Sequence, residues 1–319
     1  MADLNGLEVK INPINKIKYE NGIFSIKIDP NNFYSEKGTT KEELEKQIEF
    51  FAHTMLKKCE NFNINNFINR IRKLFFCHIK YNSTNASSEG DYDYEHGLLR
   101  FNNYDTLNHE LMHAAKQKAK RGRITKGGLT FNIDNNDDID TGLDEGNTEI
   151  LKERYFGKSY NKSYWFERLF YKHMENLIGQ NAIEKISFDA EYIDMYLELT
   201  DYLSVEETLL FLDCIDFSTE SRILERTDIS KNEYLLCKKH MEIISRIFQK
   251  AYLSKLRKEK ISSKEFKKYI NINLWRIGGV AILHSKYGNE LKTIWFTDNK
   301  EYDEFKEKYK VLKEKGINR

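Results

Sequence analysis

Two histidines and a glutamate in one short segment are the residues whose types and spacing point most directly to chemistry. The segment is His109-Glu110-Leu111-Met112-His113. Four residues advance an α-helix by about 400°, so His109 and His113 would lie one turn apart on one face. Imidazoles in that arrangement can bind a single metal ion at about 2.0–2.1 Å, the usual zinc-to-nitrogen distance. Glu110 would lie about 100° round the helix, where its carboxylate can hold a water molecule beside the ion.

A catalytic zinc site needs a third protein ligand and one open position. A third histidine six residues after His113 is excluded, because that position is Ala119. The segment Gly142-Leu143-Asp144-Glu145-Gly146-Asn147-Thr148-Glu149 offers Glu145 and Glu149, four residues apart on a predicted helix. One acid can bind the ion while the other accepts the second ring N–H of a ligand histidine, which fixes the tautomer. Because the spacer after His113 is long, Glu149 or a spacer aspartate stays open as the third ligand. Gly146 is expected to leave room for a close approach to the histidine helix.

These two segments together resemble the gluzincin group of zinc metallopeptidases, in which HExxH on one helix meets an (Asn/Asp)-Glu-x-x-(Ser/Thr)-(Asp/Glu) segment on the next. The Asp-Glu-Gly-x-Thr-Glu stretch is also similar to one in uncharacterised bacterial zincin-like proteins. The resemblance covers about residues 95–180. It implies a zincin-like α+β core, one Zn²⁺ per chain and hydrolysis of a peptide or protein substrate. It also implies the following roles: zinc ligands His109, His113 and Glu145, general base Glu110, and Glu149 as the partner of a ligand histidine.

The group's transition-state stabiliser has no match by motif in this chain. Tyr155 follows the acidic segment shortly and is the first candidate. Tyr160, Tyr164 and His173 are further candidates, by their proximity in sequence alone.

The apolar segment Leu98–Phe101 precedes the histidine helix and is predicted to be a strand. In zincin-like folds the strand before this helix is a sheet edge, so it could pair with an extended substrate backbone. A plain core strand explains the same residues equally well.

The spacer contains a second, weaker pattern of possible ligands. Counted as a 12-residue EF-hand loop, positions 1, 3, 5, 7 and 12 are Asp134, Asn136, Asp138, Asp140 and Glu145. Ile139 stands where the sharp turn of an EF-hand needs glycine. We therefore favour an acidic loop, 134–140, bordering the cleft, and calcium binding by that loop stays open.

The elements that must position these residues are partly visible in the sequence. Alternating residues on both sides of Asn21-Gly22 predict a hairpin. Thr40-x-x-Glu43 is a capping box that opens a helix to about Lys58. The histidine helix is predicted over about 107–120, capped by Asp105 or Thr106, and the glutamate helix over about 144–156, ended by Gly157. The positive charges of Lys152 and Arg154, in the last turns of that helix, would stabilise its C-terminus by interacting with the helix dipole.

The rest of the chain is predicted to be mostly helical. Further helices are expected over about 64–75, 163–178, 189–202, 204–215, 231–257, 263–272 and 300–315, with strands near 76–82 and 280–283. Loops are expected at 83–91 and, as the longest irregular stretch, at 121–142. We expect two regions: 1–182, with the hairpin, helices and zincin-like catalytic core, and a mainly helical 183–319.

Composition excludes several function classes. The 319 residues carry 51 Lys+Arg and 50 Asp+Glu, for a net charge of +1, so we expect no nucleic-acid partner. The sequence shows no long apolar run, so we expect no membrane partner. The start, Met1–Glu8, lacks the features of a secretory signal, which indicates a cytoplasmic protein, with unconventional export left open. The four cysteines are scattered and are expected to be reduced. Oligomeric state is not indicated.

Three hypotheses about function follow from these residues. The first is a zinc metallopeptidase of the gluzincin type. The second is a catalytically silent zincin-like protein that keeps the metal for regulation or interaction, and the third is metal-assisted hydrolysis of another bond. Glu110 favours an enzyme, because a purely structural metal site does not need a general base.

Overall fold

The computed structural model describes residues 14–80, 90–94, 96–120, 123–125, 129, 131–133, 137–139, 141–157, 164–188, 192–220, 231–259, 281–283 and 290–292. Its helices are α1 (Lys41–Lys58), α2 (Ile64–Ile71), α3 (Tyr104–Lys116), α4 (Thr141–Phe156), α5 (Trp165–Ile178), α6 (Gln180–Phe188), α7 (Tyr192–Thr200), α8 (Val205–Glu220) and α9 (Lys231–Lys258). Its strands are β1 (Lys16–Glu20), β2 (Ile23–Lys27), β3 (Phe33–Ser35), β4 (Phe75–His78), β5 (Gly90–Asp93), β6 (Leu98–Phe101), β7 (Lys118–Lys120), β8 (Arg123–Thr125), β9 (Phe131–Ile133), β10 (Asp137–Ile139), β11 (Ala281–Leu283) and β12 (Glu290–Lys292). The chain is therefore a mixed α+β protein, as predicted.

The N-terminal hairpin forms as the sequence predicted. Strands β1 and β2 pair antiparallel, and Asn21 and Gly22 take positive φ values of 52° and 78° at the turn. Helix α1 follows its capping box and packs on β2. Two of its side chains also accept hydrogen bonds from backbone N–H groups of β2. Glu49 accepts from Ile26 at 3.1 Å, and His53 accepts from Phe24 at 3.0 Å. Part of the outer edge of β2 is thereby covered by a helix.

A four-stranded sheet with the order β3-β4-β6-β5 lies beside the histidine helix. Strands β3, β4 and β6 are parallel, and β5 runs antiparallel to β6. The expectation that Leu98–Phe101 is a sheet edge is therefore wrong, because these residues form β6, which has a neighbour on each side. Its alternative, a core strand, is confirmed, with Leu99 and Phe101 fully buried. The edge strand on this side of the sheet is β5, whose first two residues had been predicted to be a loop.

Helix α3 differs from its prediction at both ends. The cap is Asn103, whose side chain accepts the Thr106 N–H at 2.9 Å, and neither Asp105 nor Thr106 has that role. The helix ends at Lys116, because Gln117 takes an extended backbone, with φ −68° and ψ 136°. The following residues pair as β7 with β8, and β9 pairs with β10, so β7 stands where the end of the helix was predicted and the stretch 121–142, predicted to be irregular, contains β8, β9 and β10.

The chain divides into two units that interleave in sequence. The first comprises Met1–Gly128, Thr148–Lys162 and Glu184–Glu191, and the second comprises Leu129–Asn147, Ser163–Ile183 and Tyr192–Arg319. The first unit has a core built from the hairpin, the sheet, α1, α2 and α3, in which the Phe51 and Phe67 rings lie 5.4 Å apart. In the second unit α8 packs on α9, and Phe211 meets Phe248 edge-on at 4.7 Å.

The helices predicted after residue 160 appear with shifted limits. The 163–178 prediction corresponds to α5, 204–215 to the longer α8, and 231–257 to α9. The 189–202 prediction corresponds to α7, and the sequence analysis missed α6 before it. The predictions for 263–272 and 300–315 lie outside the described residues.

Two further expectations concern the class of protein. None of the described helices combines the length and the apolar stretch that a membrane crossing needs. The three cysteines whose side chains are described, Cys59, Cys77 and Cys214, are buried free thiols. Burial raises the pKa of Cys77 and of Cys214 to about 11, so both are protonated at neutral pH.

The capping box of α1 gives a direct test of the fold. Thr40 accepts the Glu43 N–H at 3.2 Å, and Glu43 accepts the Thr40 N–H at 2.8 Å. We expect Thr40→Ala to lower the free energy of unfolding by about 1 kcal/mol, because one backbone donor of the first turn loses its partner. Denaturant unfolding measures this, with Thr39→Ala as the control. Equal stability of the two variants would contradict the assigned cap.

Candidate metal centre

Helix α3 brings the two histidine side chains together. His109 is buried and His113 is half-buried, and their Nε2 atoms lie 3.1 Å apart. Two nitrogen ligands on one tetrahedral zinc ion lie about 3.3 Å apart, so the observed separation is close to that of a shared ion. The predicted spacing of one helical turn therefore produces convergent nitrogen atoms on the folded helix.

Glu145 of α4 supplies a carboxylate to the same place. The candidate ligand atoms of His109, His113 and Glu145 all lie within 4.8 Å of one another. Two imidazoles and one carboxylate make up a donor set found at catalytic zinc sites. The residue types and the separations fit a zinc ion, with Glu145 in the position that the sequence analysis gave it.

Glu149, one turn after Glu145 on α4, contacts the ring nitrogen of His109 that is not directed at His113. Its Oε1 lies 2.7 Å from Nδ1 of His109. Burial on its own would raise the pKa of Glu149, but the hydrogen bond from His109 and the charge and hydrogen bond of Lys152 hold that pKa below its usual range. A carboxylate can only accept, so Nδ1 of His109 carries the proton and Nε2 offers its lone pair towards His113.

Lys152 is a member of this network that the sequence analysis missed. Its side chain is only 2% exposed, and its Nζ donates to Oε1 of Glu149 and to Oδ2 of Asp105, both at 3.0 Å. The sequence analysis assigned Lys152 only to stabilising the helix C-terminus and did not predict that its side chain is buried and paired with two acids. The spacing of three residues between Glu149 and Lys152 on one helix was the available signal. The ammonium group keeps Glu149 ionised and fixes its orientation.

The second ligand histidine has polar neighbours of its own. Oγ1 of Thr148 lies 3.4 Å from Nδ1 of His113 and accepts a hydrogen bond from Nζ of Lys116 at 2.6 Å. Lys116 and Thr148 are both fully buried. No sequence pattern indicates this pair, because threonine and lysine are not part of a metal-ligand pattern and their contact joins two helices.

Glu110 is buried, and its carboxylate lies against the start of β5. A Cβ atom added at Gly90 would lie 2.8 Å from Oε1 of Glu110 and 2.2 Å from Cγ2 of Thr106. The missing side chain at Gly90 therefore makes the room that this carboxylate occupies. The carboxylate predicted to act as the base lies beside the edge strand of the sheet.

Gly146 does permit a close approach, but its partner differs from the one predicted. A Cβ atom at Gly146 would lie 2.2 Å from the backbone oxygen of Glu167. The neighbour is therefore α5, and the expectation of a contact with the histidine helix is wrong at this position. A backbone carbonyl cannot move aside as a side chain can, so glycine is required here.

Tyr155 has contacts that differ from those of a transition-state stabiliser. Its side chain belongs to the hydrophobic core of the first unit, and its hydroxyl donates to Oε2 of Glu184 at 2.9 Å. It lies ten residues after Glu145 on α4, about 15 Å along the helix axis. The structure therefore does not bring Tyr155 together with the metal-ligand candidates.

The remaining candidates have other surroundings or lie outside the described residues. His173 is fully buried against Phe248, and burial lowers its pKa to about 3, so it is neutral. Tyr164 directly precedes α5 with a positive φ of 57°. Tyr160 and most of the 134–140 loop lie outside the described residues, and only Asp137–Ile139 is seen there, as β10.

Comparison with known proteins gives no relative from which to transfer a function. No protein-family model matches the chain, and neither a curated protein nor a solved structure matches it. The chain's own residues are therefore the basis for inferring a function.

The contact between Glu149 and His109 is expected to strengthen zinc binding. We expect Glu149→Gln to weaken zinc binding by about 10–100-fold, because the neutral amide no longer supports the basicity of His109. Competition with a chromogenic chelator measures the affinity. Glu153→Gln, one turn further along α4, is the matched control and should bind zinc as the unmodified protein does. Equal affinities for both variants would remove Glu149 from the site.

Proposed function

We propose that this chain is a zinc-dependent metallopeptidase of the gluzincin type, with a zincin-like core formed by the β3-β4-β6-β5 sheet, α3 and α4. The observation that carries the proposal is the cluster of His109, His113 and Glu145, with Nε2 atoms 3.1 Å apart. The buried acid Glu110 on the same helix as the histidines adds the residue that hydrolysis needs. Metal-ligand and general-base residues on one helix are the arrangement expected for metal-assisted hydrolysis.

The chemistry divides between the ion and the chain. A bound zinc ion supplies Lewis acidity, which polarises the scissile carbonyl and lowers the pKa of water. His109, His113 and Glu145 hold the ion, and Glu149 keeps His109 in the ligating tautomer. Glu110 takes the proton from the attacking water and passes it to the leaving amine, a role that contributes typically about 10²–10⁴-fold to the rate.

The sheet offers a place for an extended substrate. Strand β5 pairs with β6 on one side and has no second partner among the described strands. A peptide can add to such an edge through backbone hydrogen bonds, while alternate side chains determine specificity. Because Gly90 of β5 lies against Glu110, a peptide bound along this edge runs past the base. This role replaces the one first considered for Leu98–Phe101.

Glu110 also separates this proposal from the silent metal-binding alternative. A site that only held a metal would need no acid beside its ligands, yet Glu110 is buried and Gly90 makes room for its carboxylate. The observed arrangement therefore favours an enzyme.

Removal of the histidines tests the metal site. We expect about one zinc ion per chain in the purified protein and less than about a tenth of that in the His109→Ala, His113→Ala double variant, because two of three protein ligands are lost. Elemental analysis by mass spectrometry measures the content. His96→Ala, which removes an exposed histidine, is the control. Undiminished zinc in the double variant would refute the site.

Replacement of the base tests the reaction. We expect Glu110→Gln to keep its zinc but to lower kcat on a peptide library by about 10²–10⁴-fold, because the amide cannot accept the proton. Glu42→Gln, an exposed change on α1, is the control. Full activity of Glu110→Gln would exclude Glu110 as the base. A zinc-loaded unmodified protein without turnover would favour the silent alternative.

A further inference from the structure

Gln117 continues the row of side chains that begins with the two histidines. It follows His113 by four residues, as His113 follows His109, and it caps the C-terminus of α3. The side chain is 2% exposed, and its Oε1 accepts a hydrogen bond from the Tyr92 hydroxyl of β5. Its buried Nε2 has no hydrogen-bond partner among the described residues. The two N–H groups of this amide are therefore buried without an acceptor among the residues that the structure describes.

Arg70 of α2 is a second buried donor in the same neighbourhood. It is 8% exposed, and its Nε has no partner within the described part of the chain. Asn66, one turn earlier on α2, donates from its side chain to the Gln117 carbonyl, so this face of α2 meets the end of α3. Tyr92 connects the two donors, because its hydroxyl donates to Gln117 and the charge of Arg70 is close enough to oppose the rise that burial causes in the pKa of its phenol.

The charge of Arg70 is not balanced by an acid of the described residues. Burial lowers its pKa, and the neighbouring group that counters this effect is Tyr92, a phenol that is neutral at pH 7. A buried guanidinium without a counter-charge is unfavourable, and a buried polar group without a partner calls for an explanation such as a bound ligand. The residue is 8% exposed, so it is buried without being completely enclosed.

The chemistry of these donors defines their ligand. A guanidinium presents N–H groups in a planar fork, and an amide nitrogen adds two more. A carboxylate matches this set, because its two oxygens accept in one plane and carry the opposite charge. Neutral carbonyl groups would leave the charge of Arg70 uncompensated.

We propose that Arg70 and Gln117 form a carboxylate-binding subsite one helical turn beyond His113, which receives a carboxylate of the substrate. The identity of the ligand as part of a peptide rests on the proposed function. The four residues from His113 to Gln117 rise about 6 Å along α3, and an extended peptide advances about 3.3 Å per residue. The recognised carboxylate therefore belongs to a residue within about two positions of the scissile bond. It is either the chain terminus or an acidic side chain.

Binding to the zinc-loaded Glu110→Gln protein tests this subsite without turnover. Three probes share a short sequence of alanine, leucine and phenylalanine: one with a free C-terminal carboxylate, one with a C-terminal amide, and one amidated peptide with a single glutamate. Calorimetry should show about 10–100-fold tighter binding of a carboxylate peptide than of the plain amide, since a charge-assisted hydrogen bond contributes that much. The two carboxylate probes distinguish the terminus from the side chain as its source.

Arg70→Met in the same background should remove this preference. Arg72→Met, an exposed arginine two residues away, should keep it. Arg70→Met should also fold, because no ion pair of the described residues is lost. As a check independent of peptides, acetate in place of chloride at equal ionic strength should raise the Tm of the Arg72→Met protein more than that of Arg70→Met. Gln117→Leu should reduce the carboxylate preference by a smaller factor and is the second variant if Arg70→Met is unstable.

The failure of this inference differs from the failure of the proposed function. Equal affinity for the amide and both carboxylate peptides, or a preference unchanged by Arg70→Met, overturns the subsite even if the protein hydrolyses peptides. An Arg70-dependent carboxylate preference in a protein whose unmodified form has no turnover keeps the subsite and removes the proposed function.

Discussion

One ring nitrogen on α3 and one carboxylate on α4 meet at 2.7 Å, and the arrangement of the candidate site depends on this contact between His109 and Glu149. Because a carboxylate cannot donate, the proton of His109 is held at Nδ1. The Nε2 atom of His109 then carries the lone pair and faces His113. Glu145 lies one turn before Glu149 on α4, so the same contact brings Glu145 towards the two histidines. A single hydrogen bond thus sets the tautomer of one ligand candidate and the alignment of the helix that carries another.

The charged pair of Glu149 and Lys152 beside this contact is almost entirely buried. Glu149 and Lys152 have side-chain exposures of 4% and 2% and are paired at 3.0 Å. Removing a charge from water costs several kcal/mol even after relaxation, and good pairing geometry is needed to offset that loss. A hydrophobic pair of similar size would stabilise the helix contact at least as well. Such networks are concentrated at functional sites, where the charges control the protonation of reacting or ligating groups.

The sequence analysis succeeded where the determining interactions are local. The Asn21-Gly22 turn, the Thr40 capping box and the one-turn spacing of His109 and His113 each depend on neighbours within four residues, and all three appear as predicted. The sequence analysis failed where several neighbouring residues could act as the N-cap of a helix. Asn103, Asp105 and Thr106 are all good caps, and the sequence alone could not indicate that Asn103 is used.

Long-range pairing was the other source of error. Strand β5 has a polar sequence, and its first two residues were assigned to a loop, while the resemblance to zincin-like folds suggested that β6 could be the edge. The contacts of Lys152 with Asp105 and of Lys116 with Thr148 join residues 47 and 32 positions apart, and no periodic pattern reports such pairs. The same holds for Gly146, whose need for space was visible although its partner on α5 was not.

The central claim is that one ion is held by two imidazoles of α3 and a carboxylate of α4. A crystal structure of the zinc-loaded protein, with anomalous data collected on both sides of the zinc absorption edge, tests it most directly. The account predicts one anomalous peak about 2.0–2.2 Å from Nε2 of His109, Nε2 of His113 and a carboxylate oxygen of Glu145. A peak held by other residues, or a Glu145 carboxylate outside bonding distance, would contradict it.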